Sequence, residues 1–283
     1  MIRRLSQIIG LLFANSYWKG IFSSQAIYQG ATKRFCFPVL NCYSCPLARF
    51  ACPIGSLQHF IAIRQIPYYI LGIISLVGVF IGRVPCGWLC PFGLLQDVLY
   101  RIPSFKLHLH KSFGYLKYLV LVGVVVIVVY FTQEPWFCKL CPAGTLEAGI
   151  PLILWSSVGA SLKALLGWHF YLKVGILLSI ILLMVFIKRP FCRMLCPLGA
   201  IFGLFNRISL LRFYVDRERC KGEGCDICYN VCPMEIRIYR NPHSFDCIRC
   251  TRCISACPEK VVGITIIWGR IKGKEPVIKP SLG

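Results

Sequence analysis

The chain has 283 residues, of which 57% are hydrophobic and 15% charged. That is more apolar surface than a soluble core of this length buries, which excludes a soluble two-domain enzyme. The 32 Lys and Arg against 11 Asp and Glu give a formal net charge of +21, yet the basic residues lie between long apolar runs and form no basic face. A nucleic-acid binder is thereby excluded, and a bilayer surface is the expected partner. The 18 cysteines exceed what disulfides explain in such a chain and point to metal or cluster ligation.

Residues 5–22 form the weakest of four expected spans, interrupted by Asn15, Ser16 and Lys19 and preceded by Arg3 and Arg4. No small-residue cleavage site follows, so the segment is expected to be retained. Residues 66–81, 116–131 and 171–187 are the clear spans, each near the roughly 20 residues that a hydrocarbon core of about 30 Å requires. Residues 146–166 are apolar but carry Pro151, three serines, two glycines and Lys163, and read as a re-entrant or interfacial helix. The positive-inside bias places both termini in the cytoplasm, with Arg3, Arg4, Arg83, Arg101, Lys106, Lys111, Lys117, Lys188, Arg189 and Arg193 inside. Up to residue 212 there are 20 basic and three acidic residues, and beyond it 12 basic and eight acidic. This shift predicts a mainly α membrane domain over 1–211 and a soluble α+β domain over 212–283, too small to be stable without metals or disulfides.

Between these segments one pattern recurs four times: cysteines closing on Cys-Pro-x-Gly. The copies end at Cys52, after Cys36, Cys42 and Cys45, at Cys90 after Cys86, at Cys141 after Cys138, and at Cys196 after Cys192. In each the proline suits the first position of a new helix, so the thiolates are expected at a positive helix N-terminus. One pair cannot hold a cubane, but two can. Cys86, Cys90, Cys192 and Cys196 are expected to form an inner 4Fe-4S site, and Cys138 and Cys141, with two of Cys36, Cys42, Cys45 and Cys52, an outer one at the opposite face. A single site on Cys36, Cys42, Cys45 and Cys52, an outer disulfide, and cysteines that merely pack are the alternatives.

The C-terminal region carries Cys220-x4-Cys225-x2-Cys228-x3-Cys232-Pro and Cys247-x2-Cys250-x2-Cys253-x3-Cys257-Pro. Two-residue gaps let one loop supply three thiolates, and in two-cluster ferredoxins the fourth cysteine serves the other cluster. Cys220, Cys225, Cys228 and Cys257 are therefore assigned to one 4Fe-4S site, and Cys247, Cys250, Cys253 and Cys232 to a second. Paired zinc ribbons are the alternative.

The paired Cys-x3-Cys-Pro motifs, followed by the two-cluster run, resemble the NapH family of ferredoxin-type membrane proteins. The membrane portions of NosR and CcoG are similar. The resemblance covers roughly residues 3–262 and implies a multi-pass protein of a prokaryotic inner membrane, with four spans and a cytoplasmic ferredoxin domain. It implies electron transfer between the quinone pool and partner redox subunits of iron–sulfur, cytochrome or molybdenum/tungsten type, with quinone as a further ligand. Cys36 to Cys52 and Cys138-Lys-Leu-Cys141 depart from the family pattern and imply a longer electron path. An assembly or regulatory factor that supplies electrons or handles copper is the second functional reading.

Among isolated residues, Asp97 is expected to pair with Arg101 along a helix face, or to accept protons from quinol. Glu134 and Glu147 read as interfacial carboxylates, His169 beside Trp168 as an interfacial anchor, and His108 and His110 as solvated.

Overall fold

The structure is a computed structural model that describes residues 2–19, 27–155 and 167–266. Helices dominate. The first, α1 (Ile2–Ala14), turns Arg3, Gln7, Gly10 and Ala14 inward. At about 1.5 Å per residue its 13 residues reach roughly 20 Å, short of a span. It ends where Asn15 turns its amide to the Leu11 carbonyl at 3.2 Å and to Asn41 Oδ1 at 3.0 Å. The segment expected to cross a membrane is thus a packed helix with a polar inner edge, and residues 20–22 of that expectation lie outside the described residues.

The next helices are α2 (Pro53–Ala62), α3 (Tyr68–Ile81) and α4 (Pro91–Leu99). Then come α5 (Ser112–Thr132), α6 (Pro142–Leu154) and α7 (Trp168–Phe186). The last long one is α8 (Pro197–Phe205). Among the described residues, α5 and α7 are the two helices long and apolar enough to cross a bilayer, while α3 and α6 are apolar but shorter. Both long helices leave large apolar side chains uncovered, among them Leu119, Val122, Ile127 and Phe131 on α5 and Leu172, Leu178 and Leu182 on α7. Patches of that extent mark an interaction surface and not a water-facing one. The expected re-entrant segment is described only as α6, since 156–166 lie outside the described residues.

Past α8 the chain forms β1 (Leu211–Val215), which pairs antiparallel with β2 (Val262–Ile266), with Phe213 opposite Ile264. Phe213, Ile238, Val261 and Val262 make a small core there. The intervening chain does not stay with that core, because Met234 and Ile248 are buried in the main helical core. Side chains from the N-terminal helical region hold this excursion through its backbone. Asn206 Nδ2 donates to the Ser244 and Cys247 carbonyls at 3.0 and 2.8 Å. Arg83 Nη1 donates to the Phe245 carbonyl at 2.8 Å, and Trp88 Nε1 to the Arg249 carbonyl at 3.0 Å. In return Arg249 reaches the Ile81 and Asn206 carbonyls at 3.1 and 3.0 Å.

The contact is so close that a Cβ on Gly87 would lie 2.4 Å from the Ile248 carbonyl oxygen. Both partners are backbone, so neither swings aside. Gly87→Ala is expected to unseat residues 244–250 and to destabilise the fold by about 1–3 kcal/mol. Faster proteolytic cleavage between residues 232 and 250, against unchanged cleavage elsewhere, is the measurement that checks it.

Candidate cluster sites

The four Cys-Pro-x-Gly copies share one local geometry. Cys52, Cys90, Cys141 and Cys196 are the N-cap residues of α2, α4, α6 and α8, each with extended backbone and each followed by proline in the first turn. Proline fits because its missing N–H has no partner in the first turn, and its φ is already helical. In the fourth copy the Gly199 amide donates to Cys196 Sγ at 3.3 Å. The Gly55, Gly93 and Gly144 amides favour their own cysteine's thiolate in looser geometry. Each cysteine thus occupies the position where Ser or Asp normally caps a helix, and receives the positive end of the dipole.

The thiols gather in fours. Burial, then the charges of Cys192, Cys86 and Cys90, push the Cys196 thiol up. Burial, then Cys138, Cys52 and Cys42, push Cys141 up, and burial and Cys52 push Cys138 up to about 12. Two glycines give the outer set its spacing: a Cβ on Gly144 would lie 3.5 Å from Cys42 Sγ, and one on Gly55 3.6 Å from Cys138 Sγ. Cys42 and Cys52 are therefore the N-terminal thiols that face Cys138 and Cys141. Cys45 packs aside with Ala48 and Ala148, and Cys36 joins an isolated strand bridge to Ala51.

In the C-terminal region, burial and then Cys247, Cys250, Cys232 and Cys228 push Cys253 up. Cys220, Cys225, Cys228 and Cys257 line one small cavity. Both groupings place Cys232 and Cys257 across from their own runs. All 18 cysteines have free thiols. Four thiols in each grouping match the ligand number of a 4Fe-4S cubane.

The inner and outer sets were expected at opposite faces of a bilayer. Instead two consecutive backbone amides serve both, because the Leu40 amide favours the Cys90 thiolate and the next amide, Asn41, favours that of Cys52. Adjacent amides with one hydrogen-bond length on either side put these sulfurs on the order of 10 Å apart. The half-length helices α2 and α4 account for this, since each starts inside the core and runs outward from its cysteine.

Side chains six residues beyond each capping cysteine reach across to the opposite half of the molecule. Gln58 Nε2 donates to Cys138 Sγ at 3.1 Å while its Oε1 accepts the Phe137 amide at 3.0 Å, which fixes the orientation of its side-chain amide. Gln96 Nε2 donates to Cys192 Sγ at 3.0 Å. Glu147, expected to be solvated, is half-buried and accepts the Cys42 amide at 2.6 Å. Phe202, fully buried, fills the fourth equivalent position.

Two arginines three residues before the inner pairs cross over in the same way. Arg83 Nη2 donates to the Cys192 carbonyl at 3.4 Å and Arg189 Nη1 to the Cys86 carbonyl at 3.3 Å. Both are buried, with 0% and 1% of their surface exposed. Arg189 makes a bidentate pair with Asp97 at 2.8 and 2.7 Å, and Arg3 joins the same carboxylate. Asp246 serves Arg83 and Lys117. Asp97 therefore does not pair with Arg101 as expected, because a bidentate partner on another element outcompetes a local one.

Glu134 pairs with Lys139 at 2.7 Å in solvent. His108 is not simply solvated, since its Nδ1 lies 2.8 Å from Glu235 Oε1. His169 lies tilted against Trp168, with ring centroids 4.4 Å apart.

The family model described as a 4Fe-4S binding domain matches residues 49–67, 63–110, 116–151 and 170–215, one match on each Cys-Pro copy and just over half the chain in all. The ferredoxin-type protein NapH of Haemophilus influenzae is 30% identical over 92% of this chain and 86% of its own length. The chain belongs to the NapH-like ferredoxin-type family. An uncharacterized protein of Methanocaldococcus jannaschii is 31% identical over 72% of this chain and 74% of its own length. The regulatory protein NosR of Stutzerimonas stutzeri is 28% identical over 53% of the chain but only 20% of its own length. No solved structure matches. For this NapH-like chain the family and its domains support iron–sulfur electron transfer with 4Fe-4S clusters as cofactors.

Sequence reasoning missed Gln58, Gln96, Arg83 and Arg189. Their signal was spacing: glutamine six residues after two of the capping cysteines, and arginine three before both inner pairs. The arginines also carry a stability requirement. Burial alone would raise the Asp97 carboxyl, but Arg189 and Arg3 hold it below the usual range. A carboxylate depressed in this way stabilises the fold above its unfolded pKa of about 4, and that stabilisation is lost as pH falls through the lower folded value. Asp97→Ala is expected to cost about 3–5 kcal/mol by leaving two buried guanidiniums uncompensated. Arg101→Ala is expected to cost far less. Thermal unfolding of both variants in detergent at neutral pH compares them.

Proposed function

We propose that this chain is a membrane-bound electron-transfer subunit, passing electrons between the quinol/quinone pool and partner redox proteins through four 4Fe-4S sites. The bound clusters supply one-electron chemistry, and the chain supplies order and environment. The proposed sequence of ligand sets is Cys42, Cys52, Cys138 and Cys141; then Cys86, Cys90, Cys192 and Cys196; then Cys232, Cys247, Cys250 and Cys253; then Cys220, Cys225, Cys228 and Cys257. The observation that carries it is the continuity of contacts between successive sets. The consecutive amides of Leu40 and Asn41 join the first two. Trp88, between Cys86 and Cys90, bonds the Arg249 carbonyl, between Cys247 and Cys250. Cys228 lies near enough to Cys253 to raise its pKa.

The uncovered faces of α5 and α7 support a multi-pass placement of residues 1–211, to which α3, within the expected span 66–81, would add a third crossing. The soluble α+β region over 212–283 then lies in the cytoplasm. Partner subunits of iron–sulfur, cytochrome or molybdenum/tungsten type would meet the C-terminal set.

A second reading, an assembly or regulatory factor that supplies electrons or handles copper, draws on the similarity to NosR. Cys36 and Cys45, two thiols outside the proposed sets, support it. Stoichiometric copper in the purified protein would favour it.

Anaerobically purified protein is expected to hold about 16 iron atoms per chain. Cys42→Ala is expected to lose about four of them and one electron paramagnetic resonance signal, whereas Cys45→Ala keeps both. Equal loss in the two variants would sink the assignment of the first set, and clusters inert to quinol and quinone analogues would sink the quinone link. Gln96→Leu removes an N–H donor that favours the more negative, reduced state. It is expected to lower one midpoint potential by about 20–60 mV, the equivalent of one hydrogen bond of about 0.5–1.5 kcal/mol. Potentiometric titration followed by electron paramagnetic resonance reads the shift.

A further inference from the structure

Where α1, the end of α4, the segment after α7 and the turn Arg252–Ala256 meet, a cavity of about 520 Å³ opens, within the size range of small-molecule sites. Arg4, Arg101, Lys188, Arg189 and Arg252 line it, and Asp97 is its one acidic group. That carboxylate is already committed to Arg189 and Arg3, and Lys188 donates to the Asn230 carbonyl at 3.2 Å. Arg4, Arg101 and Arg252 make no side-chain hydrogen bond or ion pair among the described residues. Like charges crowd here, since the fields of Arg189 and Arg252 add to burial in lowering the pKa of Arg3.

Cys232 also lines the cavity, so part of the positive charge answers the cluster proposed beside it. An oxidised four-cysteine cubane brings about −2, which does not use up five lining cations and Arg3 against a single carboxylate.

We propose that this cavity is a binding site for a phosphate-bearing anion, taken from an anionic lipid headgroup or from a soluble phosphate compound. Planar guanidiniums free to bond in pairs suit phosphate oxygens. The height of the site favours the lipid, because Lys188 follows two residues after the end of α7 and Arg101 two after the end of α4. That preference rests on the membrane placement proposed above, whereas the anion site itself does not.

The test uses cluster-loaded protein, with visible absorbance confirming equal loading, and reads thermal stability with two probes. The first is mixed micelles of phosphatidylglycerol in phosphatidylcholine, against phosphatidylcholine alone. The second is inorganic pyrophosphate. Stabilisation by phosphatidylglycerol but not pyrophosphate identifies a headgroup, and stabilisation by pyrophosphate alone identifies a soluble compound and counts against the membrane placement. In Arg4→Gln/Arg101→Gln the apparent affinity for the active probe is expected to fall about tenfold. In the charge-matched pair Arg207→Gln/Arg217→Gln it is expected to change less than twofold. No stabilisation by either probe, or equal losses in the two pairs, overturns the proposal. Should the first pair fail to fold, phenylglyoxal labelling of wild-type Arg101 decides: protection by the probe supports the site, and unprotected labelling overturns it.

Discussion

Two buried arginines, each reaching from one cysteine pair to the backbone of the other, are the constraint on which this molecule turns. A guanidinium taken out of water costs several kcal/mol unless a carboxylate and hydrogen-bond acceptors replace its hydration. Arg83 and Arg189 find those acceptors only when the Cys86/Cys90 and Cys192/Cys196 segments stand face to face, since each bonds a cysteine carbonyl of the opposite pair. Their carboxylates come from still other places, Asp97 on α4 and Asp246 in the C-terminal region. Convergence of four thiols, closure of the helical core and docking of the loop carrying Cys247 and Cys250 are thus satisfied together or not at all. Like-charged thiolates do not gather on their own account. Fixed cations behind their backbone make the gathering tolerable, before any metal contributes.

The Cys-Pro-x-Gly helix starts were legible in the sequence because everything they require is local: a proline that needs no donor, a cysteine that caps, and a glycine that lets its neighbour approach. The crossed assignment of Cys232 and Cys257 came from the pattern of two-cluster ferredoxins, and Cys257 lines the same cavity as Cys220, Cys225 and Cys228. Features that depend on two distant segments were not legible. Asp97 and Arg101 have ideal helix spacing, yet the bidentate geometry of Arg189, far away in sequence, wins the carboxylate. Residues 5–22 read as a candidate span on composition, while the orientation of the helix follows from Asp97 on α4, which pairs with Arg3, and from the Trp88 carbonyl, which accepts from Ser6. The amides of Leu40 and Asn41 have no side-chain signature at all, because their contribution is two consecutive backbone N–H groups. They lie beside Cys90 and Cys52, one cysteine from each helical set.

Proximity of the two helical sets changes what the core must supply. Sets at opposite faces of a membrane would need an intermediate carrier, and none is encoded. Half-length helices starting at Cys52 and Cys90 bring the sites into the apolar interior, where hydrogen bonds to sulfur act in a low dielectric and count for more than at a surface. The same arrangement keeps water away from the sulfurs, with Phe92 and Phe191 packed edge to face at 5.0 Å beside the inner pairs. Potentials of neighbouring sites then differ through donors the chain fixes, not through exposure.

The residues six positions beyond the capping cysteines show how one repeated unit is made unequal. In two copies a glutamine donates directly to a sulfur of the other half. In the third the equivalent residue, Glu147, has no proton to donate when ionised and instead accepts the amide of Cys42. An acceptor at that position pins the backbone of the 36–52 loop at one residue, and the side chain of that residue is the one turned toward Cys138 and Cys141. Cys45 lies three residues further on, past the anchored amide, and its backbone returns to the Cys42 carbonyl at 3.1 Å, which carries its thiol toward Ala48 and Ala148 instead. The proposed choice of Cys42 over Cys45 rests on that carboxylate anchor. Glu147→Ala removes the acceptor altogether, so the loop loosens without any thiol being touched.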